Sequence, residues 1–357
     1  MTTTRIGRVR EHLQRKNLDA LIVSSLLNIR YLTGFTGSHA LLIITRTSAT
    51  FLSDVRYLLQ AKGEVQHCKR IVITDVGLYE EAAKRNLLSK GARVGFESQQ
   101  VTYAHYRTLR KLFPETSFVS TSDIVEEVML VKDETEVEMI RRAAAISDKV
   151  FQEILSVLRP GVRELDIAAE ISYLQQRHGA QRDAFETIVA SGERSCLPHA
   201  RASEKKIKSG DLVTVDFGCV VNGYNSDLTR TVAVGKTTMQ AKRMYAAVLE
   251  AQREAIASTK AGMWAKELDA IARTRIERRG FGKYFNHSLG HGLGLHVHER
   301  PKISRLSKEL LREGSVITIE PGVYIPGFGG VRIEDDVVVT KEGCEVLNTA
   351  PKEFVVV

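Results

Sequence analysis

The pattern of apolar and polar positions changes character at Lys132-Asp133. Before it, short apolar runs at 21–23, 40–45, 50–52, 71–73 and 93–96 predict strands, and helical spacing at 5–16, 78–88 and 102–112 predicts helices. Alternation of the two marks an α/β domain over residues 1–132. Its most distinctive phrase, Asn28-Ile29-Arg30-Tyr31-Leu32-Thr33-Gly34-Phe35, is polar and aromatic after a strand, and is expected to be a loop facing a ligand or partner.

From Asp133 the apolar spacing turns helical and continues to Pro160-Gly161, which stops it; acids crowd the start, where they complement the helix dipole. A second helix follows at 164–178. Strands are then predicted at 187–190, 212–220 and 224–234, the last two joined through Val221-Asn222-Gly223, an Asn-Gly hairpin signal. Helices at 238–259 and 264–279 and strands at 316–319 and 331–340 complete a second domain over 133–357. The expected class is α/β to α+β with two domains, since single cores seldom exceed roughly 250–300 residues.

Composition narrows the partners. At 43% hydrophobic and 26% charged, the chain is neither disordered nor fibrous. No apolar run approaches the ~18 residues of a membrane helix. The polar start MTTTRIGRVREHLQRKN lacks a signal-peptide core, so no membrane partner and a cytoplasmic location are expected. Cys68, Cys196, Cys219 and Cys344 form no CxxC pair, which argues against a structural zinc site or a disulfide framework. The net charge of +8 raises the question of nucleic acid. Basic residues are interspersed with acids, however, and the densest run, Lys205-Lys206-Ile207-Lys208, falls in a predicted turn, so a solvated surface is expected rather than a nucleic-acid face.

The chemistry concentrates elsewhere. Four of the ten histidines, His287, His291, His296 and His298, fall in the stretch NHSLGHGLGLHVHE. Its glycines let a ring approach something small and buried. His287 and His291 stand four apart, while His296 and His298 alternate as same-face residues of an extended segment. Such a cluster serves metal binding or acid–base work, unless its rings are merely solvated loop residues. Asp216 follows Val213-Thr214-Val215, and a carboxylate in a core strand costs several kcal/mol without a compensating cation or donors. Asp227 lies across the Asn222-Gly223 turn, where antiparallel pairing would bring it onto the same face. Glu320 and Glu334 also follow apolar strands. Any one of these acids could equally be a salt-bridged strand end. Together with one imidazole, the four carboxylates suffice for two divalent ions, which would relieve their repulsion. An oxygen-rich set favours manganese; cobalt, zinc or iron could occupy it.

Carrying these residues, the chain resembles the prolidase and aminopeptidase P branch of the dinuclear metallopeptidases, which share the pita-bread fold with methionine aminopeptidases. The motifs are NIRYLTGFTGS, VDFG, GYNSDLTRT, GHGLGLHVHE, IEPGVY and VRIEDDV, and they span essentially the whole chain. The resemblance implies a creatinase-like amino-terminal domain before the catalytic one. It implies Asp216, Asp227, His291, Glu320 and Glu334 as metal ligands, with Asp227 and Glu334 bridging both ions. His199 and His298 become the histidines that contact the scissile amide, His287 a further substrate-side histidine, and Arg332 an arginine beside the bridging glutamate. The implied reaction is hydrolysis of the bond before proline, with Glu320 moving the proton of the attacking water.

Two lookalikes are excluded. An HExxH zinc site needs a second histidine where His298-Glu299-Arg300-Pro301-Lys302 offers a lysine after a helix-breaking proline. Creatinase lacks the metal ligands, and here all five are present. Within the branch, Lys302 stands where some dipeptidases place an arginine, and lysine supplies the charge without the fork. His296 replaces an acidic residue often seen there. With a chain short for the branch, the expectation is an Xaa-Pro dipeptidase with some aminopeptidase P activity. An aminopeptidase acting on longer peptides and an inactive pita-bread binding module are the alternatives. His39 in Gly37-Ser38-His39 is either an ordinary surface histidine or one that reaches a neighbouring subunit's site, in the expected homodimer.

Overall fold

The five apolar runs of the first domain assemble into one sheet with a sixth strand, Ser117–Thr121, that the apolar pattern does not mark. The computed structural model describes residues 4–74 and 77–357, and the chain divides into two compact units, Met1–Met129 and Leu130–Val357. In the first, strands β1 (Ala20–Val23), β2 (Leu41–Thr45), β3 (Ala49–Asp54), β4 (Lys69–Ile73), β5 (Arg93–Glu97) and β6 (Ser117–Thr121) lie in the order β4-β3-β2-β1-β5-β6. Helices α1 (Arg5–Arg15), α2 (Leu26–Thr33), α3 (Leu58–Glu64), α4 (Leu78–Lys84), α5 (Tyr103–Leu112) and α6 (Ile124–Met129) connect and cover them. The parallel pairs β3/β4 and β5/β6 need such crossovers, whereas β1/β2 and β2/β3 run antiparallel.

The segment expected to be a loop at 28–35 is helical as far as Thr33, within α2. Ser25 caps α2 by accepting from the Asn28 amide, and Gly34 ends it in the left-handed region at φ 86°. Its polar residues face inward with partners. Asn28 Nδ2 donates to Glu97 Oε1 at 2.6 Å and to Glu126 Oε1 at 2.7 Å, and the Tyr31 hydroxyl donates to Val128 O at 3.1 Å. Polarity there reflects buried hydrogen bonding, not exposure.

The second unit opens with α7 (Glu134–Ile154), whose first turn is fixed by a reciprocal cap between Asp133 and Glu136. It continues through α8 (Glu164–Arg177), β7 (Arg182–Asp183), β8 (Ile188–Ser191), β9 (Leu212–Phe217), β10 (Cys219–Val221), β11 (Tyr224–Asn225) and β12 (Leu228–Ala233). Then come α9 (Met239–Ser258), α10 (Ala265–Arg278), β13 (Gly290–Gly292), β14 (Glu299–Ile303), β15 (Val316–Ile319), β16 (Gly322–Ile325), β17 (Gly329–Arg332), β18 (Asp335–Val339) and β19 (Cys344–Val346). The sheets are β11-β10-β7, β12-β9-β8, β14-β13-β15-β18-β19 and β16-β17. Val213, Val215 and Phe217 of β9 pack with Phe151 and Ile154 of α7 and Ile167 and Ile171 of α8. Val248 and Leu268 of the second helix pair pack with Ile317, Val323 and Val331. Among the described residues no helix is long and apolar enough to cross a membrane.

Three strands predicted as continuous are interrupted, each where the chain passes from one sheet to another. The run at 212–220 breaks at Gly218, the run at 224–234 breaks at Ser226-Asp227, and the run at 331–340 breaks at Ile333-Glu334. Gly218 is obligatory: a Cβ there would lie 1.8 Å from the Ser226 carbonyl oxygen. The segment carrying His296 and His298 is likewise not extended but a bent loop between β13 and β14. Their alternation therefore does not place them on one strand face.

Candidate metal centre

Strand β9 is buried along its whole length and divides its side chains by alternation. Val213, Val215 and Phe217 enter the helix-covered core, which leaves Thr214 and Asp216 on the other face. On β12 the register sets Thr229 opposite Asp216 and Thr231 opposite Thr214. This polar face is covered by the chain from Arg332 to Glu334: Thr231 Oγ1 donates to Arg332 O at 3.0 Å, and Thr229 Oγ1 donates to Glu334 Oε2 at 2.6 Å. The Glu334 amide in turn donates to Thr229 O at 3.1 Å.

The other acids occupy the interruptions. Asp227 directly precedes β12, and its amide donates to Asp336 Oδ2 at 3.0 Å. Glu320 follows β15, with its amide bonded to Leu289 O at 2.8 Å. His291 sits in a bulge of β13, between Gly290 paired with Ile303 and Gly292 paired with Glu299. Both glycines are forced by crowding, since a Cβ would lie 2.0 Å from Thr318 O or 2.1 Å from Arg300 O.

These placements converge. Ligand atoms of Asp227, His291 and Glu334 lie within 4.8 Å of one another. His291 Nδ1 is 3.1 Å from Gly292 O, a carbonyl that can only accept, so this nitrogen carries the proton. Its bare Nε2 then faces Glu320 Oε1 at 3.5 Å and Asp227 Oδ2 at 3.7 Å. Burial, with His298 alongside, pulls the ring down to about 4, so the imidazole itself takes no proton near neutral pH. Burial first, and Glu334 second, push Asp227 and Glu320 well above the carboxylate range. Burial and Asp216 hold Glu334 up at about 8. Asp216 Oδ2 accepts from Arg332 Nη2, while its Oδ1 is buried without a hydrogen-bond partner. Lone pairs of four acids and an imidazole thus oppose one another with few donors between them, and divalent cations fit that set.

The predicted substrate residues divide. The His298 ring lies 4.4 Å from that of His291, centroid to centroid, and burial lowers its pKa, with His199 the next cause. His199 follows Pro198, whose carbonyl accepts from Arg332 Nη1 at 3.2 Å. Lys302 is an exposed residue of β14, and its charge acts on both His291 and His298. His287 has both nitrogens engaged within the protein. Its Nδ1 donates to Ser288 O at 2.7 Å, and its Nε2, 2.9 Å from the Tyr324 hydroxyl, accepts that proton because Tyr324 itself accepts from Arg332 Nη1 at 2.7 Å. Burial, followed by the Arg332 charge, takes this ring down to about 3. His39 belongs to the first unit, where its Nδ1 meets Asp54 Oδ2 at 2.6 Å.

Three contributors escape sequence reasoning. Tyr324 links His287 to Arg332; its only signal is a hydroxyl in an apolar strand. Asn225 binds the His298 loop, donating from its backbone to Gly294 O at 2.9 Å and from Nδ2 to Leu295 O at 3.0 Å. Glu299 closes the same loop, with Oε1 accepting from the His296 amide at 3.0 Å and Oε2 from the buried Lys132 Nζ at 2.8 Å.

Residues 138–341 match metallopeptidase family M24, and residues 5–131 match the creatinase/prolidase N-terminal domain. The chain belongs to metallopeptidase family M24. Its second unit has the pita-bread fold of that family, preceded by the creatinase-type domain, and the family implies divalent metal ions. The chain is 39% identical to an Xaa-Pro dipeptidase of Pyrococcus horikoshii over 98% of both chains. Among solved structures it resembles an Xaa-Pro dipeptidase from Bacillus anthracis, at 40% identity and TM-score 0.95 over 99% of each chain. It also resembles an X-Pro aminopeptidase from Thermotoga maritima, at 37% identity and TM-score 0.91 over 97% of this chain and 100% of that one.

Proposed function

We propose that this M24 protein is a metal-dependent Xaa-Pro dipeptidase, with residues 1–132 as an accessory domain and 133–357 carrying the chemistry. The observation that carries it is the bare Nε2 of His291 set against Glu320 and Asp227, in a centre where Asp216 keeps an unpartnered buried oxygen. Asp216, Asp227, His291, Glu320 and Glu334 would hold the ions in this reading, and manganese is the ion the oxygen-rich set favours. Bound there, two such ions supply Lewis acidity and bring the pKa of water toward neutrality. Glu320 takes the proton of the attacking water and delivers it to the proline nitrogen. His298, with a ring kept neutral by burial, and His199 donate to the oxyanion. Arg332 holds Asp216, and His287 acts through Tyr324 in keeping that arginine in place.

Lys302 supplies the cation for the free carboxylate of a proline-containing dipeptide. His39, in a cytoplasmic homodimer, would serve the neighbouring subunit. Hydrolysis of longer Xaa-Pro peptides is the second reading, favoured by the likeness to the Thermotoga X-Pro aminopeptidase. The deciding experiment is turnover of Ala-Pro against Ala-Pro-amide and Ala-Pro-Ala after chelation and re-addition of manganese, cobalt or zinc. A strong preference for the free carboxylate is expected. Indifference to it selects the aminopeptidase, and no Xaa-Pro cleavage with any ion overturns both.

A further inference from the structure

Both ends of the loop that carries His199 meet at one buried side chain. Glu164, the first residue of α8, has 0% of its surface exposed. Its Oε1 accepts from the Ser191 amide and from Ser191 Oγ, both at 2.8 Å. Its Oε2 accepts from the Ser203 amide at 3.1 Å, from Ser203 Oγ at 2.7 Å, and from Arg194 Nη1. Ser191 is the last residue of β8, and Ser203 stands where the chain leaves the loop, so both ends of residues 192–202 close on this carboxylate. Arg194 ties the interior as well, donating from Nη2 to Arg201 O at 2.7 Å.

Nearer the site the loop has two lighter anchors. The Gly330 amide donates to Ser195 Oγ at 2.8 Å, and Arg332 Nη1 reaches Pro198 O at 3.2 Å. The ends are otherwise held by backbone, Ser191 by its pairing with Val213 and Ser203 by its carbonyl, which accepts from the Leu165 amide at 3.1 Å; between the ends the chain is a short 3-10 turn, Gly192–Cys196, followed by irregular backbone. A carboxylate suits the base because every group facing it is a donor. An amide of the same shape would turn one acceptor into an N–H pointing at other donors, and each buried group so stranded is destabilising.

We propose that Glu164 is a positioning residue for His199, fixing both ends of its loop and acting on turnover through that ring alone. This rests on the assignment of His199 to the substrate made above. The test is a double-mutant cycle of Glu164→Gln with His199→Ala, read as kcat, KM and bound manganese. A small displacement of a positioned group suffices to slow a reaction strongly, so Glu164→Gln should lower kcat by roughly ten- to a hundredfold, with KM and metal content little changed. In the His199→Ala background the same substitution should change kcat by less than about twofold. An equal loss in both backgrounds, or no loss in either, overturns the proposal.

A second readout separates this proposal from the substrate assignment. In zinc-loaded protein with 13C-labelled histidine, the His199 resonance, identified by its absence in His199→Ala, should move or split in Glu164→Gln while the His298 resonance stays. If His199→Ala is fully active, the substrate role fails, yet the resonance still reports the clamp. If Glu164→Gln does not fold, Ser203→Ala removes one donor and should shift the same resonance; an unmoved resonance overturns the proposal.

Discussion

Arg332 donates from Nη2 to Oδ2 of Asp216 across 116 residues of sequence, and the same guanidinium reaches Thr229 Oγ1 at 3.1 Å and the Tyr324 hydroxyl at 2.7 Å. A planar fork with several donors makes these contacts at once, which an ammonium cannot do. Arg332→Met therefore leaves Asp216 buried and unpaired. The metal-free variant is expected to lose about 3–5 kcal/mol, read from its denaturant midpoint. Saturating manganese should restore part of the loss, and an unmoved midpoint would contradict the pairing.

The acids set a pH dependence in the metal-free protein. Glu334 is held up at about 8 by burial and by Asp216, above its value in an unfolded chain. A raised carboxyl favours the folded state when protonated. Its contribution is complete below about pH 4.3 and is lost as pH rises through about 8. Asp227 and Glu320 shift in the same direction. Calorimetry of chelated protein from pH 7 to 9, above the range in which the neutral rings of His287 and His291 add an opposite slope, should find a falling midpoint, and manganese should flatten or reverse it. A midpoint that climbs with pH without metal would count against the mutual repulsion of these groups.

His287 is predicted to stay neutral across the working range, since its ring is pulled down to about 3. Nitrogen-15 spectra of the metal-free protein should show a protonated Nδ1 and a bare Nε2, unchanged from pH 5 to 9. Tyr324→Phe should perturb the Nε2 signal, because the hydroxyl is its donor. Titration of His287 near pH 6.5 would refute the hydrogen-bond direction.

Gly218 tests the link between backbone and centre. With a Cβ placed 1.8 Å from Ser226 O, Gly218→Ala must separate the two chain segments that carry Asp216 and Asp227. Overpacking of this kind typically costs about 1–3 kcal/mol. The variant should also bind manganese more weakly, by isothermal titration, than a surface variant of equal stability.

Lys302 tests substrate length. It is exposed, yet its charge reaches His291 and His298. Lys302→Ala should raise KM for Ala-Pro by roughly tenfold, about the worth of one partly solvated charge contact, while leaving KM for Ala-Pro-amide unchanged. Lys302→Arg should preserve the preference. Equal effects on both substrates would remove Lys302 from carboxylate recognition.

How far the sequence discloses this molecule follows from what a local pattern can encode. The two-domain α/β organisation is legible because strand and helix periods are local. Asp216, Asp227, Glu320 and Glu334 stand out because a charge beside an apolar run demands compensation. The strand breaks beside three of them are not legible, since a change of sheet keeps the chain extended and apolar on both sides. Helix α2 is missed for the opposite reason: Asn28 and Tyr31 look solvent-facing until their partners Glu97 and Val128, far along the chain, fold against them. Asn225, Tyr324 and Glu164 give no signal beyond residue type. Their roles consist of contacts with segments that the local pattern cannot place.

The donors belong to different sheets or to the gaps between them: Asp216 to β12-β9-β8, His291 to the five-stranded sheet, Glu320 and Glu334 to the passages in and out of β16-β17. Backbone ladders stop at those seams, which only single backbone bonds such as Glu334 N–H to Thr229 O cross, so cations seated there would act as rivets across the layers. Amide protons along the seams should exchange quickly in stripped protein and slowly in replenished protein. The same ions would then harden the architecture and equip it for chemistry.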